Sequence, residues 1–547
     1  MDDKLFEKQT SRKNDGTKLV AGATILAVAG ILGKVLGAVF RIPLTNWIGA
    51  EGMSYYGAAY PVYSFFLILA TAGLPVAISK MVSERVAIGD YRNAHRSYRV
   101  SLNVMLGIGI VSFLFCFIFS RKIAEIMGNP EATYSIMAIS PALLLAPLAS
   151  SFRGYFQGQQ NMIPTAVSEV SEQLVRVMVG LVLSYSLITS GLQFASAGAT
   201  FGAPAGLLAA LIILLIMYKI SAKSRNKHIL DCDKPLESKR SLMKELIDIA
   251  VPITIGSTIM PLMMIIDDVI IMNRLQATGW DYATSKTLYG LISGFCDPLV
   301  SFPGVFIDAV SISLMPAVAA AFALKRKDEV NKNIATGIKT MMVVAYPCAL
   351  GIIVLAQPIL HLLYPTRLEE ADMAVANLQI MAIGIVTLSM MRTFSSALQG
   401  IGKMVVPVVN LFIGAIAKVV ITYFLVGIPS LNINGAAIGS VTAYLIAGIL
   451  NYYSLRKNAD VRLDLRKTFT KPLLAAVLMG VGAHFAYKLA FTLIGSNSIS
   501  TLIAIMAGVV IYFFMIFLTN AITKEDTKIL PKGDLIIRIA EKLHLCK

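Results

Sequence analysis

The sequence predicts an all-α integral membrane protein of about fourteen transmembrane helices, built as two six-helix lobes related by a parallel repeat plus two C-terminal helices. Three observations predict it. The 547 residues are 56% hydrophobic and 15% charged, with a mean hydropathy of +0.71, whereas soluble domains carry about 25% charged residues. Apolar runs of about 18 residues or more recur along the whole chain, each a candidate membrane span. Lysine and arginine crowd into alternate short loops, the pattern that sets membrane orientation. Ten-residue segments of alternating polarity are absent, so a barrel is excluded.

The elements follow in order. Residues 1–18 are polar and mixed in charge, and the apolar run after them is too long for a signal-peptide core. They form a cytoplasmic tail ahead of a retained first helix. Spans at 19–42, 56–79, 100–119, 133–152, 165–189 and 196–218 make the first lobe, 19–218. A basic cytoplasmic linker, 219–245, holds eight Lys or Arg residues and reads as the hinge between lobes. Spans at 246–271, 286–316, 334–356, 373–398, 405–426 and 435–455 make the second lobe, 246–455. Two more helices, 472–493 and 499–520, lie within 456–520, and 521–547 is a cytoplasmic tail. With the N-terminus inside, inner segments hold 36 of the 48 basic residues and outer loops hold five. Both termini are then cytoplasmic.

The two lobes echo each other. FRGYFQGQQNMIP (152–164) resembles FSSALQGIGKMVVP (394–407), GATFG (198–202) resembles GAAIG (435–439), and GLPVAISK (73–80) resembles LMPAVAAA (314–321). The offsets are 242–243, 237 and 241 residues. Six helices per half is an even number, so both halves cross in the same sense, the parallel-repeat arrangement of transporters.

A charge at the bilayer centre costs about 2.5–3.5 kcal/mol on insertion scales, so buried charges mark function or pairing. Lys34, Arg41, Arg176 and Lys418 are the cations that need an account. Lys34 has Gly30, Ile31, Gly37 and Ala38 at the i±3 and i±4 positions, so its partner must come from another helix, a cavity or a ligand. Arg41 lies near the outer end of its span and can snorkel. Glu172 and Arg176 are spaced for a local i,i+4 ion pair. Glu169, Glu172 and Asp308 are candidates for ion coupling or for structural pairs. Asp267 and Asp268 read as interfacial. Pro298, Pro303 and Gly304 predict a break in the eighth span that lines a cavity. A cationic wall favours an anionic substrate. Diphosphate fits, because arginine grips it bidentately and lysine acts as a point charge.

Other classes are set aside by what is missing. GILGK (30–34) has the wrong spacing for a nucleotide-binding loop, no HExxH occurs, and the five histidines show no metal-ligand spacing. The cysteines have no CxxC spacing, and no disulfide framework is expected. The outer loops leave little room for the catalytic groups of a glycan polymerase or ligase, so no enzyme activity, metal or cofactor is expected. A coupling ion or the membrane potential is left open as the driving force. The basic charge belongs to membrane orientation, and no nucleic-acid partner is expected.

On the stretches GKVLGAVFRIPLTNWIGAEG (33–52), GLPVAISKMVSERVAIGDYRNA (73–94), FRGYFQGQQNMIPTAVSEVSEQLVRV (152–177) and FPGVFIDAVSISLMPAV (302–318), the chain resembles the multidrug/oligosaccharidyl-lipid/polysaccharide (MOP) exporter superfamily. Within it, the chain is most similar to the polysaccharide-biosynthesis branch that holds the lipid II flippases and the stage V sporulation B proteins. The resemblance implies fourteen helices, two lobes, a central cationic cavity and alternating-access export of an undecaprenyl-diphosphate-linked saccharide, lipid II foremost. It also implies a monomeric transporter of the bacterial plasma membrane whose partners are its lipid-linked oligosaccharide and the membrane lipid. Lys34 and Arg41 look like the two essential basic positions of the first helix in lipid II flippases, with one extra residue between them. The branch's arginine of the second helix has no counterpart in YPVYSFFLIL (60–69), and its arginine of the eighth aligns with Pro298. The other readings are export of a different lipid-linked polysaccharide unit, and a cation-coupled multidrug extruder of the same superfamily.

Overall fold

The computed structural model describes residues 2–521 apart from 231, 233 and 462, and the side chains of residues 2–28, 31, 34, 224, 225, 228, 305, 309 and 312 lie outside that description. The regular structure of the described residues is all helical, with no strand among them. They divide into two compact units, Met1–Val269 and Ile270–Lys547.

The first unit opens with α1 (Asp2–Thr71), which is two helices joined at Gly49, where φ is 63° and ψ is −172°. Glycine adopts that conformation without steric cost. The reversal is real: Arg41 and Tyr56 would lie about 22 Å apart along a straight helix, yet the Arg41 Cζ is 5.8 Å from the Tyr56 ring centre. Next come α2 (Leu74–Ala87), α3 (Tyr91–Ile118), α4 (Ser120–Ile126), α5 (Thr133–Ile139), α6 (Pro141–Gly158), α7 (Ile163–Leu187), α8 (Leu192–Ile220), α9 (Ala222–Leu230) and α10 (Lys239–Ala277). Proline stands in the first two positions of α2, α6 and α7, where its missing N–H is no loss. The Asp90 carboxylate caps α3 by accepting from the Asn93 N–H at 3.0 Å.

The second unit contains α11 (Tyr282–Gly290), a π-helical turn at Leu291–Cys296, α12 (Asp297–Ser301) and α13 (Gly304–Ala323). The break at Pro298, Pro303 and Gly304 is therefore present. Then follow α14 (Lys327–Val354), α15 (Ala356–Leu363), α16 (Leu368–Gly400), α17 (Val406–Val426), α18 (Asn434–Ala459), α19 (Lys471–Ile494) and α20 (Asn497–Leu518). Ile334, Ile338 and Met341 of α14 pack with Ile385, Phe394 and Leu398 of α16 and Val318 of α13 to form its core.

Among the described residues, thirteen stretches are long and apolar enough to cross a membrane. The first of them, Val35–Ala87, has 53 residues and contains the Gly49 reversal. Its two limbs correspond to the first two predicted spans, which accounts for the difference from fourteen. Large apolar side chains point outward, among them Val111, Met178 and Val182, as lipid-facing helices require. The unit boundary falls inside α10 rather than in the basic linker. Asp267 and Asp268, expected at the interface, are buried.

The repeat is visible in the packing. A Cβ on Gly158 would meet Val82 and the Ser79 carbonyl, and one on Gly400 would meet Val318 and the Met315 carbonyl. The two Gln-Gly glycines thus do the same job in each unit. Matching Val82 with Val318 sets the register of α2 against α13 at 236 residues, five short of the offset read from GLPVAISK.

Candidate functional site

Helix α8 carries Gly198, Gly202 and Gly206 one turn apart, and each faces the α7 backbone. Added Cβ atoms would strike carbonyl groups of Leu183, Arg176 and Glu172 respectively. Small residues allow such approach, and tight backbone packing substitutes for hydrophobic driving force inside a membrane. The contact fixes α7, and with it Arg176, against the α1 hairpin.

The second unit repeats the arrangement. Gly435 lies against Leu425, and Gly439 lies against Lys418 and Thr422. Leu183 and Leu425 differ by 242 residues, as do Arg176 and Lys418, while the facing glycines differ by 237. Arg176 and Lys418 therefore occupy equivalent addresses, each in its own unit.

The first unit brings two of the expected cations together. Arg176 Nη2 donates to the Tyr60 hydroxyl at 2.7 Å, and its Cζ stands 5.4 Å from the Tyr60 ring centre. The Arg41 Cζ lies 5.8 Å from the Tyr56 ring centre and 5.9 Å from that of Tyr60. Tyr56 and Tyr60 stack at 5.7 Å, and Tyr63 continues the row at 5.9 Å. Aromatic faces attract cations electrostatically, so the tyrosine row holds two positive groups side by side. Phe40, Leu44, Ile48 and Met53 back the site with a buried apolar wall.

The acidic groups behave differently from the i,i+4 expectation. Glu172 does not pair with Arg176. It accepts from Arg153 Nη2 of α6 at 2.8 Å, and Arg153 Nε donates to Ser168 at 3.0 Å. Both ends of that pair are largely buried. In the second unit Asp308 of α13 pairs with Arg392 of α16. Both acids are held in ion pairs with arginines of neighbouring helices. Glu169 is half-buried on α7. The Lys34 side chain lies outside the described residues.

Tyr56, Tyr60, Tyr63 and Arg153 are the residues that reading for charge alone misses. Their signal was available: tyrosines at i, i+4 and i+7 mark one face of a helix, and two arginines compete for Glu172.

Comparison with known proteins fits this architecture. The family model described as polysaccharide biosynthesis protein matches residues 19–322, and the MatE model matches residues 292–424. Stage V sporulation protein B of Bacillus subtilis (strain 168) is 27% identical over 523 residues, covering 94% of this chain and 98% of that protein. The lipid II flippase MurJ of the same organism is 27% identical over 479 residues, covering 84% and 87%. A solved structure of lipid II flippase MurJ in an inward closed conformation superposes with a TM-score of 0.66 at 16% identity, covering 89% of this chain and 97% of that one.

Proposed function

The chain belongs to the polysaccharide biosynthesis protein family of the MOP superfamily, and from that membership we propose that it flips an undecaprenyl-diphosphate-linked saccharide across the bacterial plasma membrane, with lipid II as the cargo. The observation that carries the reading is the arginine pair on Tyr60. Arg176 sits in a membrane span, its hydrogen-bond partner is the Tyr60 hydroxyl, and the nearest glutamate in sequence is committed to Arg153. A diphosphate brings negative charge to such a pair, and a guanidinium meets it with two parallel hydrogen bonds.

In this mechanism Arg41 and Arg176 receive the diphosphate, and Lys34 and Lys418 are the further cations that the sequence assigns to substrate binding. The polyprenyl tail stays in the bilayer. Alternating access of the two lobes moves the headgroup to the outer leaflet, with both termini in the cytoplasm and the chain acting as a monomer. No covalent step is required.

The drug-extruder reading needs an acidic ion site, and two of the three acids it would use are each held by an arginine. The test is flipping of fluorescent lipid II in proteoliposomes, paired with replacement of the resident flippase in a depleted bacterium. The wild-type chain is expected to support both, and Arg176→Ala neither while remaining folded. Flipping of another polyprenyl-diphosphate glycan without lipid II would move the cargo within the class. Full activity of Arg176→Ala would remove the site.

A further inference from the structure

Away from the tyrosine row, the first unit holds a cavity of about 620 Å³ where the N-terminal turns of α3 meet α9 and the start of α10. Arg92, Arg96 and Arg99 line it from α3, and Lys239 lines it from α10. The three arginines fall at i, i+4 and i+7, one helical face. Arg92 and Arg99 are exposed, while Arg96 is half-buried with its Nε shut away from solvent and without a hydrogen-bond partner among the described residues. None of Arg92, Arg96, Arg99 and Lys239 has a carboxylate within ion-pairing distance among the described residues. Three described acids nearby are used elsewhere. Asp90 is held by Asn93, and Glu237 and Glu245 both grip Arg85.

Four cations round one cavity, with a buried donor left unmet, leave a site incomplete without an anion. An unmet buried donor costs about 1–3 kcal/mol, which a bound anion recovers. The rest of the lining identifies the anion's source. Val100, Val104 and Met243 form the wall toward the membrane, and α3 continues past them with the outward-facing Leu106, Ile110 and Val111. A ligand with a charged head and an apolar tail fits that sequence of surfaces. The end concerned is the one that the basic-residue distribution assigns to the cytoplasm, where anionic lipids reside.

We propose that this cavity binds the phosphate headgroup of an anionic phospholipid of the cytoplasmic leaflet, with Arg96 and Arg99 as its main ligands and Arg92 and Lys239 at the rim. The proposal does not rest on the flipping reading, because it concerns a different face of the unit and a resident lipid.

The test uses the full chain in nanodiscs of phosphatidylcholine, titrated with phosphatidylglycerol and followed by thermal unfolding. Phosphatidylglycerol is expected to raise the unfolding temperature of the wild type. In Arg96→Gln/Arg99→Gln the amount needed for half the effect rises at least tenfold, while unfolding in pure phosphatidylcholine stays unchanged. Lys122→Gln, an exposed site on α4, serves as control and follows the wild type. An equal response of the double variant and the wild type would overturn the proposal. Inorganic phosphate reproducing the effect at millimolar concentration would also overturn it, since the site would then serve a free anion. If the double variant fails to fold, Arg99→Gln alone, whose side chain is exposed, is read against the same two outcomes.

Discussion

Gly202→Ala tests whether the close approach of α8 to α7 is what holds Arg176 in place. A Cβ at Gly202 would run into the Arg176 carbonyl oxygen and lie 3.0 Å from the Gly180 Cα. Carbon atoms pack best at about 3.5–4.0 Å, so α7 must retreat by roughly half an ångström or more. Backbone obstacles cannot rotate away, and overpacking of this kind costs about 1–3 kcal/mol. In a unit of this size that is a fall in unfolding temperature of about 2–12 °C. Retreat of α7 also draws Arg176 from Tyr60, and misplacement near 1 Å costs a binding site on the order of a hundredfold. The assays are thermal unfolding in detergent and lipid II flipping in proteoliposomes. Gly37→Ala is the control, because nothing stands within 4 Å of its added Cβ. Gly439→Ala is intermediate: its Cβ meets chiefly the movable Thr422 hydroxyl, with the Lys418 carbonyl at 3.4 Å. The expected order of damage is Gly202, then Gly439, then Gly37. If Gly202→Ala behaved like Gly37→Ala in both assays, the packing argument for the position of Arg176 would be refuted.

Tyr60→Phe keeps the ring and removes the acceptor of the Arg176 hydrogen bond, worth about 1.5–3 kcal/mol for a charged donor; flipping should fall about tenfold or more with the protein still folded, as read by flipping rate against unfolding temperature. Glu172→Gln strands Arg153 in a largely buried place and should cost about 3–5 kcal/mol of stability, much of it recovered when Arg153→Met is added, as thermal unfolding of the single and double variants will report. Asp90, in the turn before α3, is raised by its burial but more strongly lowered by hydrogen bonds from the Asn93 side chain and backbone, by the nearby Lys234 charge and by the Cys232 thiol, so its carboxyl lies below the usual range. Its folded value is thus below its unfolded one of about 3.9. Its contribution is complete above that value and is lost as pH falls through the folded value. Hydrogen-exchange protection of the 234–240 segment should therefore collapse only in strong acid, and Asp90→Asn should lower it near neutral pH while adding little once the carboxyl is protonated.

Much of the fold was legible because each span declares itself by length and apolarity, and because the lobes repeat recognisable turns. Pro298, Pro303 and Gly304 announced a break that the structure contains as a π-helical turn followed by a two-residue interruption. The reversal at Gly49 was legible only as a gap between two spans, since glycine occurs in helices and loops alike in a membrane. The ion pairing was not legible. An i,i+4 spacing ranks Arg176 as the partner of Glu172, but a helix in a bundle also meets its neighbours, and Arg153 reaches Glu172 from α6 with Ser168 assisting. The basic linker looked like a free hinge. Its second half is instead fastened to the α2–α3 corner: Asn93 donates to the Pro235 carbonyl and accepts from the Glu237 N–H, and Arg85 holds Glu237 and Glu245. Charge composition describes a loop's solubility and orientation, while side-chain geometry decides whether it moves.

The equivalence of Arg176 and Lys418 bears on how a duplicated scaffold diverges. Both cations sit where a glycine brings two helix backbones together, so the scaffold offers each unit the same address for a side chain within the membrane. The residues placed there differ in kind. Arg176 is a planar fork whose hydrogen bond to Tyr60 fixes its orientation, and such a group recognises paired phosphate oxygens by geometry. Lys418 is a compact point charge on a flexible stem, which attracts an anion without prescribing its angle. Divergence at a shared address, rather than in the fold, is how two repeated units come to carry side chains of different chemistry at matching positions.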